Sequence, residues 1–208
     1  MSDARAETIA AYQADAASYA AGTATTPESV VRDLDEFAGR VAAGGRVLEI
    51  GSGPGRDARE LEARGFTVRR TDVTPAFVDL MRADGHAADV LDPMVDELGG
   101  PWDGVWANAV LIHLARDEMP VLLERLHAAT RPGATLYLSV QEGDGDAWAT
   151  RGHVAGARHF TFWRERPLRD ALAGVGWEVE LLRTSATSSG TWLDVFARQT
   201  AGEGEPRP

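Results

Sequence analysis

Cysteine is absent from the 208-residue chain, which excludes a disulfide framework, a thiolate zinc site and a cysteine nucleophile. Lysine is absent as well, so all 21 basic residues are arginine. Asparagine occurs once, at Asn108, and isoleucine only three times. Together with abundant Ala, Gly and Arg, this reads as a codon bias toward G and C, not as a stability signal. No apolar run approaches the roughly 18 residues that cross a bilayer, and the opening MSDARAETIAAY does not have the pattern of a signal peptide. Positive charge is the scarcer sign: 21 basic against 32 acidic residues leave a net charge of −11. Such a chain repels phosphate backbones unless its basic residues are segregated. The densest basic group, Arg158, Arg164, Arg166 and Arg169, reads as a solvated face. The expectation is a cytoplasmic protein, monomer or homodimer, with no nucleic-acid, membrane or metal partner.

Helical and strand signals alternate along most of the length. Residues 3–21 read as an Ala-rich helix with Tyr12 and Tyr19 on one face. A second helix follows "TTP", with Thr26 as cap, Pro27 at its first position, and a stripe of Val30, Leu34, Phe37 and Val41. From Arg46, strands ("RVLEI", "TVRRTDV", "HAADV", "WDGVWAN", "ATLYLSV") alternate with helices at about 56–64, "TPAFVDLMRA", a weak "PMVDEL" and "DEMPVLLERLHAAT". Alternation of this kind predicts a doubly wound α/β fold with a parallel sheet. Residues 141–162 are Gly-rich and irregular, a long connection of the kind that carries function. A helix, "ERPLRDALAGVG", and two strands joined by "SATSSG" close the fold, implying an antiparallel edge. The expected division is cap helices at 1–45, a binding core at 46–198 and a disordered tail at 199–208, all in one structural domain.

The stretch "VLEIGSGPGRDARE" at 47–60 places a Gly-rich turn between a strand and a helix. A triphosphate loop is excluded because its lysine is missing. Gly53-Pro-Gly55-Arg-Asp-Ala58 fits G-x-G-x-x-A, and Asp72 lies about 20 residues on, where a dinucleotide's ribose-binding acid belongs. The lack of lysine removes the reductases that use a Tyr-x-x-x-Lys pair, but not other NAD(P)-dependent oxidoreductases.

The features beyond the turn shift the balance. "LEIGSGPG", Asp72 at the end of the second strand, "AADV", "WDGVWANAVLIHL", "LHAATRPGATLYLSV" and the closing hairpin follow in order. In this the chain resembles the class I S-adenosylmethionine-dependent methyltransferases over residues 46 to 198, within the small-molecule, ubiquinone- or tellurite-type branch. The resemblance implies a Rossmann-like seven-stranded sheet, mostly parallel with an antiparallel C-terminal strand, beneath the cap helices. It implies S-adenosylmethionine as cofactor and S-adenosylhomocysteine as product. Glu49, Gly51, Ser52, Gly53, Gly55 and Arg56 would form the first motif, and Asp72 would hold the ribose hydroxyls. Val73, Asp89 and Val90 would receive adenine, and Ala107 and Asn108 the ammonium. Tyr19, in "AASYA", would close over the methionine end.

Methyl transfer from a sulfonium needs alignment and exclusion of water, with a base only for a neutral acceptor. His113, five residues after Asn108, is the first candidate base, with His153 and His159 behind it. Each has packing or surface exposure as its plainer reading. Tyr12, Arg158 and Trp163 are candidate acceptor contacts, the arginine suiting an acidic acceptor and the aromatics an apolar one. The limited cap favours a small-molecule acceptor, methylated on oxygen or nitrogen, a carboxylate included. The rival readings are an NAD(P)-dependent oxidoreductase and a non-catalytic S-adenosylmethionine-binding protein.

Overall fold

A computed structural model describes residues 3–187 and 189–200. Five strands, β1 (Arg46–Ile50), β2 (Thr67–Asp72), β3 (Ala88–Val90), β4 (Trp102–Ala107) and β5 (Thr130–Gln141), run parallel. Two more strands, β8 (Trp177–Thr187) and β9 (Gly190–Gln199), complete a seven-stranded sheet in the order β3-β2-β1-β4-β5-β9-β8. The reversed strand β9 is interior, antiparallel to both β5 and β8, so the antiparallel element expected at the edge is one strand in from it. Strand order reverses between β1 and β4, and ligands of open α/β sheets bind outside the carboxyl ends of strands at such a point.

Helices cover both faces. Leu34 and Phe37 of α2 (Glu28–Arg40) are buried, and the Phe37 ring meets Trp106 edge-on at 5.3 Å. Trp106 in turn stacks on Tyr137 at 3.9 Å, and that layer continues through Phe196. On the opposite face α5 (Glu118–Ala128) buries Met119, Leu122, Leu123 and Leu126, while α6 (Glu165–Ala173) buries Leu168 and Leu172. Two shorter helices, α3 (Arg56–Ala63) and α4 (Pro75–Ala83), follow β1 and β2. Four of five β1 residues are buried, as expected of a strand covered on both faces.

Several local expectations are corrected. Pro27 is the residue before α2, not its first position, and the Thr26 hydroxyl donates to Glu60 instead of capping. "PMVDEL" forms turns in place of a helix, held by Asp92 accepting the Met94 N–H. The Arg-Pro-Gly segment lies within β5, at an irregularity in its pairing with β4. Most of "SATSSG" extends the β8–β9 pair. The segment at 141–162 is not irregular throughout: β6 (Asp146–Ala149) and β7 (Arg158–Thr161) pair into a separate antiparallel ribbon. At the end of the chain, Gln199 belongs to β9 and the Thr200 N–H donates to Gly176, whereas residues 201–208 of the expected tail lie outside the described residues.

The cover of the sheet's carboxyl end is α1 (Asp3–Gly22), kinked at Asp15, together with the ribbon. Thr8 accepts the His159 N–H at 3.0 Å, Asp15 accepts the Ala155 N–H at 2.7 Å, and Ala11 packs so closely on Gly156 that a Cβ there would lie 2.8 Å from its own.

Candidate active site

The turn after β1 is built by backbone geometry. Gly51 has φ +69°, and a Cβ on it would lie 2.3 Å from Val110, so only glycine fits. Ser52 ties the turn to β1 and β2: its N–H donates to the Thr71 carbonyl at 2.8 Å, its hydroxyl donates to Glu49, and its oxygen accepts the Thr71 N–H at 3.1 Å. Asp72, at the end of β2, accepts the Gly53 N–H on Oδ2 at 2.8 Å and the Thr74 N–H on Oδ1 at 2.7 Å. Burial raises its pKa and the two backbone donors oppose that shift.

Two adjoining cavities share Tyr19, Gly51, Gly53, Asn108 and Ala109. The first is lined by Asp72, Val73, Phe77, Leu91, Pro93, Val110, Leu111 and Leu114, and roofed by Thr8, Ile9, Tyr12 and Tyr19 of α1. This is an apolar slot with one carboxylate at its side. The second holds Glu49, Ser52, Arg56, Asp57, Trp106 and Thr23. Burial, with the charge of Asp57, pushes the Glu49 carboxyl up to about 8.

Asp57, in the first turn of α3, was not singled out from sequence, where it reads as an acid complementing a helix N-terminus. Its Oδ2 accepts from Trp106 Nε1 at 3.0 Å and from Asn108 Nδ2 at 2.8 Å, and its Oδ1 accepts from Arg56 Nε at 2.7 Å. Asn108 Oδ1 accepts from the Ser139 hydroxyl at 2.7 Å, and Ser139 accepts the Ala109 N–H at 2.8 Å. That last bond accompanies Ala109 at φ 54°, a conformation that non-glycine residues adopt rarely.

The fourth wall is an ordered hydrogen-bond chain. Arg158 Nη1 donates to the Tyr12 oxygen at 2.8 Å, so the Tyr12 hydroxyl donates to His113 Nε2 at 3.0 Å. His113 Nδ1–H then donates to the His159 carbonyl at 2.7 Å. Burial, reinforced by the nearby arginine charges, holds the His113 pKa down at about 4, so the ring is neutral near pH 7. Tyr12, Tyr19 and Phe77 pack ring against ring at 5.4 to 5.8 Å.

Most of the residues expected at a cofactor site do converge: Tyr19, Glu49, Gly51, Ser52, Gly53, Arg56, Asp72, Val73 and Asn108 line one or both cavities, as do Tyr12 and His113. Gly55 lies under the turn against Arg70 and Met81, and Ala107 is buried within β4. Asp89 and Val90 do not reach the cavities. The edge strand β3 directs Asp89 to Arg69 at 2.8 Å and leaves Val90 half exposed, and Leu91 and Pro93 take the apolar positions instead. Trp163 is a core residue covered by the Arg116 guanidinium, and Arg158 stands behind Tyr12. The His159 ring pairs with Asp146 at 3.0 Å, and His153 is exposed against Gly22, so neither ring lines a cavity.

The residues present fit an adenosyl sulfonium. A carboxylate has about four acceptor sites, so Asp72, with two engaged by backbone, retains capacity for two ribose hydroxyls. The apolar slot suits adenine, and Glu49 with Asp57 suits an ammonium group. A pyrophosphate would meet those same two carboxylates, against one arginine whose Nε is already engaged by Asp57.

A family described as "Methyltransferase domain" matches residues 23–182. Among solved structures, 1,6-didemethyltoxoflavin-N1-methyltransferase of Burkholderia thailandensis, determined with 1,6-didemethyltoxoflavin and S-adenosylhomocysteine bound, is 22% identical. The match covers 97% of this chain and 92% of that one, with a TM-score of 0.73. The CcbJ methyltransferase of Streptomyces caelestis is 17% identical over 94% of this chain and 99% of that one, also with a TM-score of 0.73. At these identities the likenesses show the fold. A curated protein, hemagglutinin 1 of Eikenella corrodens, is 30% identical over 115 residues, which is 52% of this chain and 37% of that protein. The chain thus spans little more than a third of that relative's length.

Proposed function

The chain belongs to the class I S-adenosylmethionine-dependent methyltransferase family, and from that premise we propose that it methylates an oxygen or nitrogen atom of a small molecule held beneath α1 and the ribbon. The observation that supports this best is the charge of the Gly-rich turn: Glu49, Asp57 and Asp72 surround it, acceptors suited to the ammonium of a sulfonium amino acid and to ribose hydroxyls, not to a pyrophosphate. When bound, S-adenosylmethionine supplies an activated methyl carbon and leaves as S-adenosylhomocysteine. The chain's own part is to hold and enclose. Asp72 takes the ribose hydroxyls, the slot of Val73, Phe77 and Leu91 takes adenine, and Glu49, Asp57 and Asn108 face the amino-acid end. Tyr12, Tyr19 and α1 exclude water above them. The structures of didemethyltoxoflavin and other small-molecule methyltransferases that share this fold support an acceptor of similar size.

A cap formed by α1 over the binding core belongs to the same proposal, as does a cytoplasmic location; α2, expected as a second cap helix, packs instead on the face of the sheet through Phe37 and Trp106. Among the described residues no helix is long and apolar enough to cross a membrane. Calorimetric titration with S-adenosylmethionine, S-adenosylhomocysteine and NAD tests the reading. The first two are expected to bind at micromolar affinity and NAD not at all. Binding of NAD alone overturns it, and Asp72→Ala is expected to weaken S-adenosylmethionine by at least about tenfold, since it removes hydrogen bonds to a charged acceptor.

A further inference from the structure

We propose that the methyl acceptor is an organic acid, methylated on its own ionised oxygen at the wall formed by Tyr12 and His113, with the buried Arg158 guanidinium behind Tyr12. The inference rests on the methyltransferase reading above and names its substrate class.

Three observations carry it. Arg158 is only 5% exposed, yet among the described residues it forms no ion pair with a carboxylate. Its Nη1 is on the Tyr12 oxygen, its Nη2 on the Arg151 carbonyl, and its buried Nε has no partner. Arg151, beside it, likewise pairs with no carboxylate: it donates to Gln141 at 2.7 Å and lies 3.5 Å over the Phe160 ring. Burial and the charge of Arg158 together lower its pKa. A buried cation without an acid is costly, and an anion brought by a ligand offsets that cost.

The second observation is that no base stands ready in this half of the site. Both ring nitrogens of His113 are committed, and Asp72 is held by two backbone N–H groups. The remaining acids, Glu49 and Asp57, face the other cavity. A neutral hydroxyl would have to lose its proton to one of these occupied groups. An ionised oxygen loses none: its lone pair forms the bond to carbon, the carbon–sulfur pair leaves with sulfur, and no proton moves.

The third is the surroundings. Phe77, Val110, Leu111 and Leu114 make the cavity apolar. A displacement in which an anion and a sulfonium cancel each other's charge is favoured where water is excluded.

Matched probes test this without the natural acceptor. The protein saturated with S-adenosylhomocysteine is titrated with benzoate, benzamide and benzylamine by ligand-observed NMR and calorimetry. Benzoate is expected to bind about tenfold more tightly than benzamide, through the attraction of the buried Arg158 charge behind the Tyr12 hydroxyl in a water-poor cavity. Arg158→Met removes that preference while S-adenosylhomocysteine affinity stays within about twofold, and Arg158→Lys, which keeps the charge, retains it. Benzamide or benzylamine binding as tightly as benzoate overturns the proposal, and so does the absence of binding by all three. If Arg158→Met does not fold, the wild-type ratio and the lysine variant still decide. Failure of S-adenosylhomocysteine to bind the wild-type protein would instead count against the methyltransferase reading itself.

Discussion

Asn108 Nδ2 donates to Asp57 Oδ2 at 2.8 Å, joining the end of β4 to the first turn of α3 across 51 positions. The same amide accepts from Ser139 at the end of β5, so one side chain fixes three elements around the turn. Asn108→Ala leaves the buried Ser139 hydroxyl without its acceptor and removes one of Asp57's donors. The expected loss is about 1–3 kcal/mol of stability, the range for a hydrogen bond to a charged group, read from urea unfolding. Calorimetry is expected to show weaker S-adenosylmethionine binding in the same variant, because Asp57 and Ser139, the latter holding Ala109, each lose a partner. A variant as stable and as tight-binding as wild type would mean that the network is incidental.

Gly51→Ala tests the close approach of the turn to the loop after β4. The added Cβ would lie 2.3 Å from Val110 Cγ2 at a backbone φ of +69°. Overpacking of this kind costs about 1–3 kcal/mol, and the left-handed conformation adds about 1 kcal/mol more for a residue with a Cβ. Adding Val110→Gly removes the Cβ and both Cγ atoms that the new methyl meets, but not the backbone strain. The double variant is therefore expected to recover part of the loss in a double-mutant cycle. Strict additivity of the two substitutions would show that Val110 is not what the Cβ meets.

The glycines and Asp72 were legible in sequence because they answer to backbone geometry. A turn that must bring Gly53 N–H onto the acid ending the next strand leaves a fixed spacing behind. Asn108 stood out as the single asparagine, placed at the C-terminal end of a strand. Asp57 did not, because an acid in the first helical turn has an ordinary explanation, and its partners Trp106 and Asn108 are about 50 positions away. Asp89 and Val90 were read by their order along the chain, and order does not carry the phase of a three-residue edge strand. That phase places Leu91 and Pro93 at the cavity instead. The ribbon of β6 and β7 was hidden by Gly143, Gly145, Gly152 and Gly156, which read as loop. Two of those glycines are where the ribbon meets its neighbours: a Cβ at Gly156 would press on Ala11 of α1, and one at Gly143 on Phe162.

Tyr19 separates a covering ring from a hydrogen-bonding hydroxyl. Its ring edge would lie 3.7 Å from a Cβ on Gly53, and it packs against Tyr12 and Phe77 at 5.4 Å. Burial raises its pKa, so it remains a neutral phenol at ordinary pH. Tyr19→Phe is expected to keep S-adenosylmethionine affinity within about twofold, because most of a tyrosine's contact area is its ring. Tyr19→Ala is expected to weaken it by about tenfold or more, the loss of one buried aromatic's apolar area. A phenylalanine variant as weak as the alanine one would assign the effect to the hydroxyl.

Glu49 gives the ligand-free protein a pH signature. Its pKa rises from 4.5 to about 8 on folding, chiefly through burial, with Asp57 adding to the shift. Between those two values the folded state binds a proton that the unfolded state has released. Its contribution is therefore complete below about 4.5 and is lost as pH rises through about 8. His113 has the opposite sign: its pKa falls from 6.5 to about 4, so its contribution is present above about 6.5 and is lost as pH falls through about 4. The two oppose each other between about 4.5 and 6.5, and Glu49 acts without that opposition between about 6.5 and 8. Thermal unfolding of wild type measured against Glu49→Gln is expected to show the wild type losing relative stability across that upper window. A ligand ammonium placed beside Glu49 favours its ionised form, so S-adenosylmethionine binding at pH 7 is expected to release a proton. Titrations in buffers of different ionisation enthalpy measure that release, and it is expected to diminish in Glu49→Gln. Equal release from both proteins would show that Glu49 does not meet the ligand's charge.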